Sequence, residues 1–371
     1  MVVVQPYIPA YREPFFAALR QKLQAQGASL LVAVDRDRSS RGDHAAGQVD
    51  AVLGSRLQGH VRFRPLEPLK LDVSDLVVME QALKNLEVYQ LAARPRYARP
   101  GLALWGHGRF SGQGRAPDRA KQWLTQRADW FFAYSSRGAH WVVRNGFPPT
   151  RVSVVRNTID GEALAGDLVS LSDQDVARLR SSLGIRSGTT ALFLGGLDAD
   201  KDVDGLLNIA RECARNCPEF VLIIGGAGED LPRLMAQARK SPWLRVVGRL
   251  EGSDKALVLR ASSAVVMPRA VGLVAVDAVI ADLPVVAFKG DHGPEYEYLA
   301  PRGLLREVAT SDPKSLAAVL LQVLQEREGS VWSAQQRQAC LRRGRDWSID
   351  GMAERFLEGL KMWADIRASR L

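Results

Sequence analysis

The feature that most constrains this chain is a double series of short apolar runs separated by amphipathic stretches. Runs at 2–4, 29–34, 102–105, 130–134 and 152–155 alternate with apolar residues at helical spacing across 15–23, 119–127 and 136–145. After a polar stretch at 160–188, with a helical pattern at 173–183, the alternation begins again. Runs at 191–194, 220–224, 244–247, 264–267 and 284–288 are separated by helical patterns at 203–213, 230–239, 255–262 and 271–281. Near-continuous apolar strands belong to parallel sheets covered on both faces. Strand and helix in alternation make that sheet an α/β one. Two such series predict two Rossmann-like domains facing across a cleft, because one core seldom grows past about 250–300 residues and the chain has 371. The stretch 36–59 reads as a polar loop, and 333–371 as helical, with Trp347, Phe356, Leu360 and Trp363 at helical spacing.

Charge divides the chain. Residues 1–160 hold 23 Lys and Arg against 13 Asp and Glu, a net of +10; the rest holds 27 against 28, a net of −1. The first half therefore suits either an anionic partner, such as nucleic acid, an acidic membrane surface or a phosphorylated substrate, or a scattered, solvated Arg-rich surface. Candidate patches are Arg94, Arg96 and Arg99, and Arg115, Arg119 and Lys121. No helix-turn-helix, zinc or RNA-recognition signature accompanies the charge, so nucleic acid is not expected. Three cysteines (Cys213, Cys217 and Cys340) form neither a disulfide framework nor a metal pattern and point to a reducing compartment. No signal peptide is read at the start. The most apolar stretch, 263–288, contains Pro268, Arg269, Asp277, Asp282 and Pro284 and so predicts a buried helix between strands, not a membrane span.

Three blocks lie where strands end, which is where ligands bind in open parallel sheets. In the first, a strand runs into Gly195-Gly196-Leu197, then an acidic loop carrying Lys201, then a helix. Glycines let the backbone approach a ligand closely, and a lysine beside them can hold a phosphate as a point charge. In the second, a strand ends at Pro268-Arg269 and a helix is expected from Val271, with Gly272 and Leu273 following; its free amides suit a diphosphate. Asp277 is expected about two turns down that helix, where a carboxylate needs a partner. The third block is Gly290-Asp291-His292-Gly293-Pro294-Glu295, with His292 and Glu295 flanked by glycines. In the first half, His107 follows a strand between Gly106 and Gly108, Tyr11 and Arg12 follow the first strand, and Arg109 lies just beyond His107. Asp198, Asp200, Asp202 and Asp204 alternate, but the sixth position of such a loop is Val203 and the twelfth Ile209, so it does not read as a calcium loop.

In this order and spacing the blocks resemble the nucleotide-binding half of the family 4 retaining glycosyltransferases, of GT-B architecture. The resemblance extends through Gly225-Gly226-Ala227-Gly228, Gly248-Arg249-Leu250 and Asp282-Leu283-Pro284-Val285-Val286, covering about 190–300. It is looser before that, where Asn157-Thr158-Ile159-Asp160 is similar to a segment that precedes the family's second domain. It implies an acceptor domain at 1–165, a nucleotide-sugar domain at 166–345, and a C-terminal helix at 346–371 crossing back onto the first. It also implies a hexosyl-type transferase of polysaccharide biosynthesis, moving a sugar from a nucleotide diphosphate-sugar to a glycan or lipid-linked acceptor with retention. No metal and no other cofactor are expected, and the leaving phosphate takes the acceptor's proton. The location implied is cytoplasmic, at the inner face of the plasma membrane. His107 and Asp277 would be catalytic. Gly195, Gly196, Lys201, Arg249, Leu250, Arg269, Val271, Gly272, Leu273, His292 and Glu295 would line the donor site, and Tyr11, Arg12 and Arg109 the acceptor side. The chain departs from the pattern at Gly196, where the family has a diphosphate-binding Arg; at Asp202, where it has Gly; and at Arg269 and Asp277, where it has a pair of Glu. Arg269 cannot accept a hydrogen bond but can restore the charge lost at Gly196. The competing readings are another GT-B-like enzyme, such as a nucleotide-sugar epimerase or non-glycosidic coupling enzyme, and a non-catalytic binder of anionic surfaces.

Overall fold

The computed structural model describes residues 1–36, 46–58, 61–108, 115–198, 201–327 and 332–369. The chain divides into two compact units, Met1–Asn157 with Ile349–Leu371, and Thr158–Ser348.

The first unit is a seven-stranded parallel sheet. Its strands are β1 (Val2–Val4), β2 (Leu31–Asp35), β3 (Ala51–Leu53), β6 (Leu76–Glu80), β7 (Gly101–Gly106), β8 (Trp130–Ala133) and β9 (Val152–Val154), in the order β3-β2-β1-β6-β7-β8-β9. A separate antiparallel pair joins β4 (Arg56–Gln58), inside the stretch that the sequence reads as a polar loop, to β5 (Val61–Phe63), just after it. Alternate residues feed the two faces. Val3, Val78, Ala103, Trp105 and Phe132 pack on one side, and Val4, Val77, Met79, Leu104 and Phe131 on the other. Both faces are apolar because both are covered, which is why the runs lack alternation.

Helices α1 (Glu13–Gln24), α2 (Leu86–Ala93), α3 (Arg115–Arg127) and α4 (Ser136–Arg144) connect these strands. The last helix of the chain, α13 (Ile349–Ala368), joins this unit: Phe356 stacks on Phe132 with ring centres 3.8 Å apart, in the layer with Phe15 and Trp105. At Gly359 a Cβ would stand 2.7 Å from the Phe132 ring, so only glycine lets the helix lie this close.

The second unit is a six-stranded parallel sheet of β10 (Thr190–Leu194), β11 (Val221–Gly225), β12 (Leu244–Gly248), β13 (Ala264–Met267), β14 (Val285–Phe288) and β15 (Leu305–Val308). Its order is β12-β11-β10-β13-β14-β15. Around it lie α5 (Gly161–Ser170), α6 (Asp173–Leu183), α7 (Val203–Asn216), α8 (Leu231–Ala238), α9 (Gly252–Ala261), α10 (Val274–Ala281), α11 (Pro313–Glu326) and α12 (Ala334–Asp346). Chain direction across the sheet reverses between β10 and β13, the position where open α/β sheets bind ligands. No helix among the described residues is long and apolar enough to cross a membrane.

Sequence pattern misses β3, β4, β5, β6 and β15, and α2, α5 and α11. It also merges α12 and α13 into one helical tail, which the structure divides at Trp347 and Ser348.

Candidate functional site

The site is built in the second unit from loops at the carboxyl ends of β10, β11, β13 and β14. The first two loops are locked together by backbone. Gly195 N–H donates to Gly225 O (3.1 Å), Leu197 N–H to Ala227 O (2.9 Å), and Asp230 N–H to Leu197 O (3.0 Å). A Cβ on Gly226 would overlap Gly195 O, and Gly228, at φ +157°, presses on the Leu197 carbonyl. These glycines exist so that one turn can lie on the other. Leu250, after β12, fills the space over Gly225, where a Cβ would stand 2.6 Å from its Cδ1.

Lys201 rises from this platform, half-buried. Its amide donates to Asp198 O (2.9 Å), and its Cε lies 3.9 Å from where a Cβ on Gly196 would be. The Asp198 carboxylate stands 3.1 Å from that same point. A side chain at 196 would grow toward both. Asp202, where the family has Gly, is left-handed at φ 53°, ψ 54°, the conformation glycine serves there. Here the aspartate caps α7 instead, its Oδ1 accepting from Gly205 N–H (3.1 Å). Asp282 is also left-handed (φ 59°), at the end of α10.

The β13 and β14 loops form the second wall. His292 donates from Nε2 to Phe288 O (2.9 Å) and accepts at Nδ1 from Val271 N–H (3.2 Å), with its ring stacked on Tyr296 at 3.9 Å. Gly293 N–H donates to Val271 O (2.8 Å). These bonds fix a single neutral tautomer and make His292 a strut that holds the 271–273 turn to the end of β14. Glu295 is buried beneath, its Oε2 2.9 Å from where a Cβ on Gly293 would be. Because 271–273 form a turn, α10 begins at Val274, later than the sequence predicts, and Asp277 falls in its first turn and not two turns down. Gly272 and Leu273 lead directly into that helix start, where amides lack carbonyl partners.

Asp277 is buried, and Lys255 of α9 is its partner, with Nζ 2.9 Å from Oδ1. Burial raises its pKa above the ordinary carboxylate value, and Lys255 opposes that rise. The side chain expected to meet a ligand is therefore already in an ion pair. Lys255 lies on another helix, and nothing in the local sequence announces it. Arg269 is exposed at the end of β13, with no charged partner among the described residues. Arg249 is exposed and bonds Glu251 (2.7 Å).

In the first unit, His107 is exposed at the end of β7, its ring edge-on to Tyr134 at 4.9 Å. Gly108 takes φ +66° against the Gly138 carbonyl. Tyr11 is 41% exposed. Arg12, expected on the acceptor side, is instead 6% exposed: its guanidinium lies 4.6 Å over Trp105 and donates to Asn157 Oδ1 (3.0 Å) and Tyr134 Oη (3.3 Å). It ties the start of α1 to the ends of β7, β8 and β9. Arg109 lies outside the described residues.

Comparison with solved structures identifies the class: this is the two-domain GT-B fold. Over 97% of this chain and 98% of the other, the structure is similar to that of Alr3699/HepE from Anabaena in complex with UDP (TM-score 0.67, 16% identity). Similar coverage (97% of each chain) relates it to a glycosyltransferase from Rickettsia africae (TM-score 0.66, 11% identity). The UDP-GlcNAc 2-epimerase of Methanocaldococcus jannaschii matches over 97% and 98% (TM-score 0.61, 13% identity). No curated protein matches the sequence. Residues 188–326, within the second unit, match the family model described as Glycosyl transferases group 1, and the strand-end loops of that unit described above lie within the matched segment.

Proposed function

We propose that the protein is a retaining hexosyltransferase of the family 4 type, moving a sugar from a uridine diphosphate-sugar to a hydroxyl of a glycan or lipid-linked acceptor. The observation that carries this reading is the convergence of the glycine platform, Lys201 and the amides before α10 at the β10/β13 switch point of a group 1 domain. Uridine is favoured because HepE from Anabaena is described in complexes with UDP and with UDP-glucose.

In this reading Lys201 and Arg269 meet the charge that develops on the diphosphate, and the amides of Gly272 and Leu273 share it. His292 holds those amides in place, and the Lys255–Asp277 pair anchors the helix behind them. His107, exposed at the end of β7 in the first unit, is the other residue read as catalytic. The acceptor oxygen bonds to the anomeric carbon, the bond from that carbon to the diphosphate breaks, and the acceptor's proton passes to the leaving phosphate. No metal takes part. The basic first half would bring the enzyme to an acidic cytoplasmic membrane surface in polysaccharide synthesis, where each Lys or Arg near the surface adds about 1 kcal/mol.

A second reading is epimerisation of a nucleotide-sugar, favoured by the similar folds of UDP-GlcNAc 2-epimerases. A thermal-shift screen of UDP-, GDP-, ADP- and dTDP-sugars should show stabilisation by UDP-sugars first. Product analysis with labelled donor then separates the readings: transfer requires acceptor and releases UDP, whereas epimerisation needs no acceptor and leaves the diphosphate bond intact.

A further inference from the structure

Helices α2 and α3 cover one face of the first unit's sheet, where Val88, Leu91 and Leu124 join the layer of Val77, Leu104 and Phe131. Their outer faces meet at an aromatic pair. The rings of Tyr89 on α2 and Trp123 on α3 stack with centres 6.2 Å apart and planes 7° from parallel. Arg127, one turn beyond Trp123, lies 5.9 Å from the centre of that ring. Leu86 precedes Tyr89 by one turn on the same face of α2. Trp123 is nevertheless 43% exposed and Leu86 45% exposed. The pair is fixed in place, and its apolar surface is still in water.

The surroundings of this apolar centre are cationic. Lys84, just before α2, Arg94, just after it, and Arg119, one turn before Trp123, are all exposed, and none has a carboxylate partner among the described residues. Arg127 donates only to backbone carbonyls, from Nε to Ala92 O (2.9 Å) and from Nη2 to Ala93 O and Arg94 O (both 3.4 Å), so its charge is not cancelled either. Arg96 and Arg99 do not add to this count, because Asp129 pairs with both (3.0 and 2.6 Å). Over residues 81–98 and 115–127 the sequence has two carboxylates, Glu87 and Asp118. Glu87 is buried against Arg64, whose Nε–H donates to it (2.7 Å), and Asp118 is itself engaged, as is Lys121. With these set aside, Lys84, Arg94, Arg119 and Arg127 remain around the aromatic pair.

We infer that the outer face of α2 and α3 docks onto an anionic lipid surface. Nucleic acid would answer the charge and leave Leu86 in water. A bilayer with acidic headgroups answers both features: the Trp ring and the leucine enter the interface, and the long basic side chains reach the phosphates. The face lies along the sheet, whereas His107 and Tyr11 follow the carboxyl ends of β7 and β1, so docking leaves that end open. The inference deepens the membrane part of the proposed function and rests on that reading for location alone, not for the sugar chemistry.

The test uses the full chain and vesicles of phosphatidylcholine with and without phosphatidylglycerol. The chain should co-sediment only with the acidic vesicles, and less at high salt, where exposed charges are screened. Arg94→Gln/Arg119→Gln, two exposed side chains, should bind them about thirtyfold more weakly (about 2 kcal/mol). Vesicles carrying brominated acyl chains should quench part of the tryptophan fluorescence, and Trp123→Phe, which still binds, should lose most of that quenching although seven tryptophans remain. Affinity for UDP should be the same in all three proteins, so a failure of UDP binding would count against the donor site and leave this result standing. Absence of vesicle binding, equal binding to both vesicle types, a double variant that binds like the native chain, or quenching unchanged in Trp123→Phe would overturn the inference. So would binding of a duplex oligonucleotide that the double variant loses while vesicles are ignored, or a dimer in sedimentation that Trp123→Ser dissociates, which would give the face to nucleic acid or to a second copy.

Discussion

Replacing Lys255 by Met leaves the buried Asp277 carboxylate without its counter-charge while keeping most of the aliphatic stem. The ion pair spans 2.9 Å, with Asp277 8% and Lys255 21% exposed at the side chain. At an effective dielectric of about 20, that separation corresponds to about 6 kcal/mol of attraction, offset in part by desolvation. Breaking a buried pair by removing one partner typically costs about 3–5 kcal/mol. The carboxylate has one escape, which is to take a proton. Starting from an unfolded value of about 3.9, neutralising it costs at most about 4 kcal/mol at pH 7 and about 1.5 kcal/mol at pH 5. Burial raises the folded pKa above the unfolded one, so the group favours folding most at low pH, and that contribution is lost as pH rises through the folded value. Urea unfolding of Lys255→Met should show a loss of about 3 kcal/mol at pH 7 that shrinks to about 1 kcal/mol at pH 5. Adding Asp277→Asn to the same chain should recover most of the loss at pH 7. A loss below 1 kcal/mol, or one that does not change between the two pH values, would refute the pairing and return Asp277 to the set of groups open to a ligand.

Asp202→Ala should cost about 1–2 kcal/mol in urea unfolding, because it gives up the α7 cap and keeps the left-handed backbone, whereas Asp202→Gly should be neutral within about 0.5 kcal/mol; equal costs would argue against the capping role. His292→Ala should weaken UDP binding about tenfold while His292→Gln, able to donate and accept at similar reach, retains part of it; unchanged affinity in the alanine variant would separate His292 from the site. Burial pushes the Cys213 thiol up to about 12 and the Cys340 thiol up to about 11, so iodoacetamide at neutral pH should alkylate Cys217 alone, as read by peptide mass.

The fold was legible where hydrophobic runs are long and end in glycine. The second sheet announces itself in this way at β10 and β11, whose apolar runs end in glycine pairs. β3 and β15 escape because they are short, partly exposed strands at sheet edges. β6 (Leu76–Glu80) is central and apolar, but no glycine turn follows it to mark its end. In the site, sequence identified the loops correctly as strand-end features because glycine pairs and Pro268 are local signals. It could not identify their tertiary partners. His292 bonds to Val271 twenty-one residues away, and Lys255 reaches Asp277 from a different helix; neither spacing follows from helix or strand period. Arg12 misled for the same reason: an arginine in a loop after the first strand reads as exposed, but Trp105, Tyr134 and Asn157 close over it from three other segments. The left-handed Asp202 and Asp282 show the reverse. At 202, where the resembled family has glycine, the structure holds a left-handed backbone with a different residue.

The central claim is that the second domain holds a nucleoside diphosphate through Lys201. Calorimetric titration of UDP into the native chain and into Lys201→Ala tests it most directly. A charge-assisted bond to phosphate is worth about 1.5–3 kcal/mol, so Lys201→Ala should bind UDP about 10- to 100-fold more weakly. Lys201 is half-buried on a loop, so its thermal unfolding midpoint without ligand should be unchanged. Equal affinity in the two proteins, or no binding of UDP by the native chain, would contradict the account.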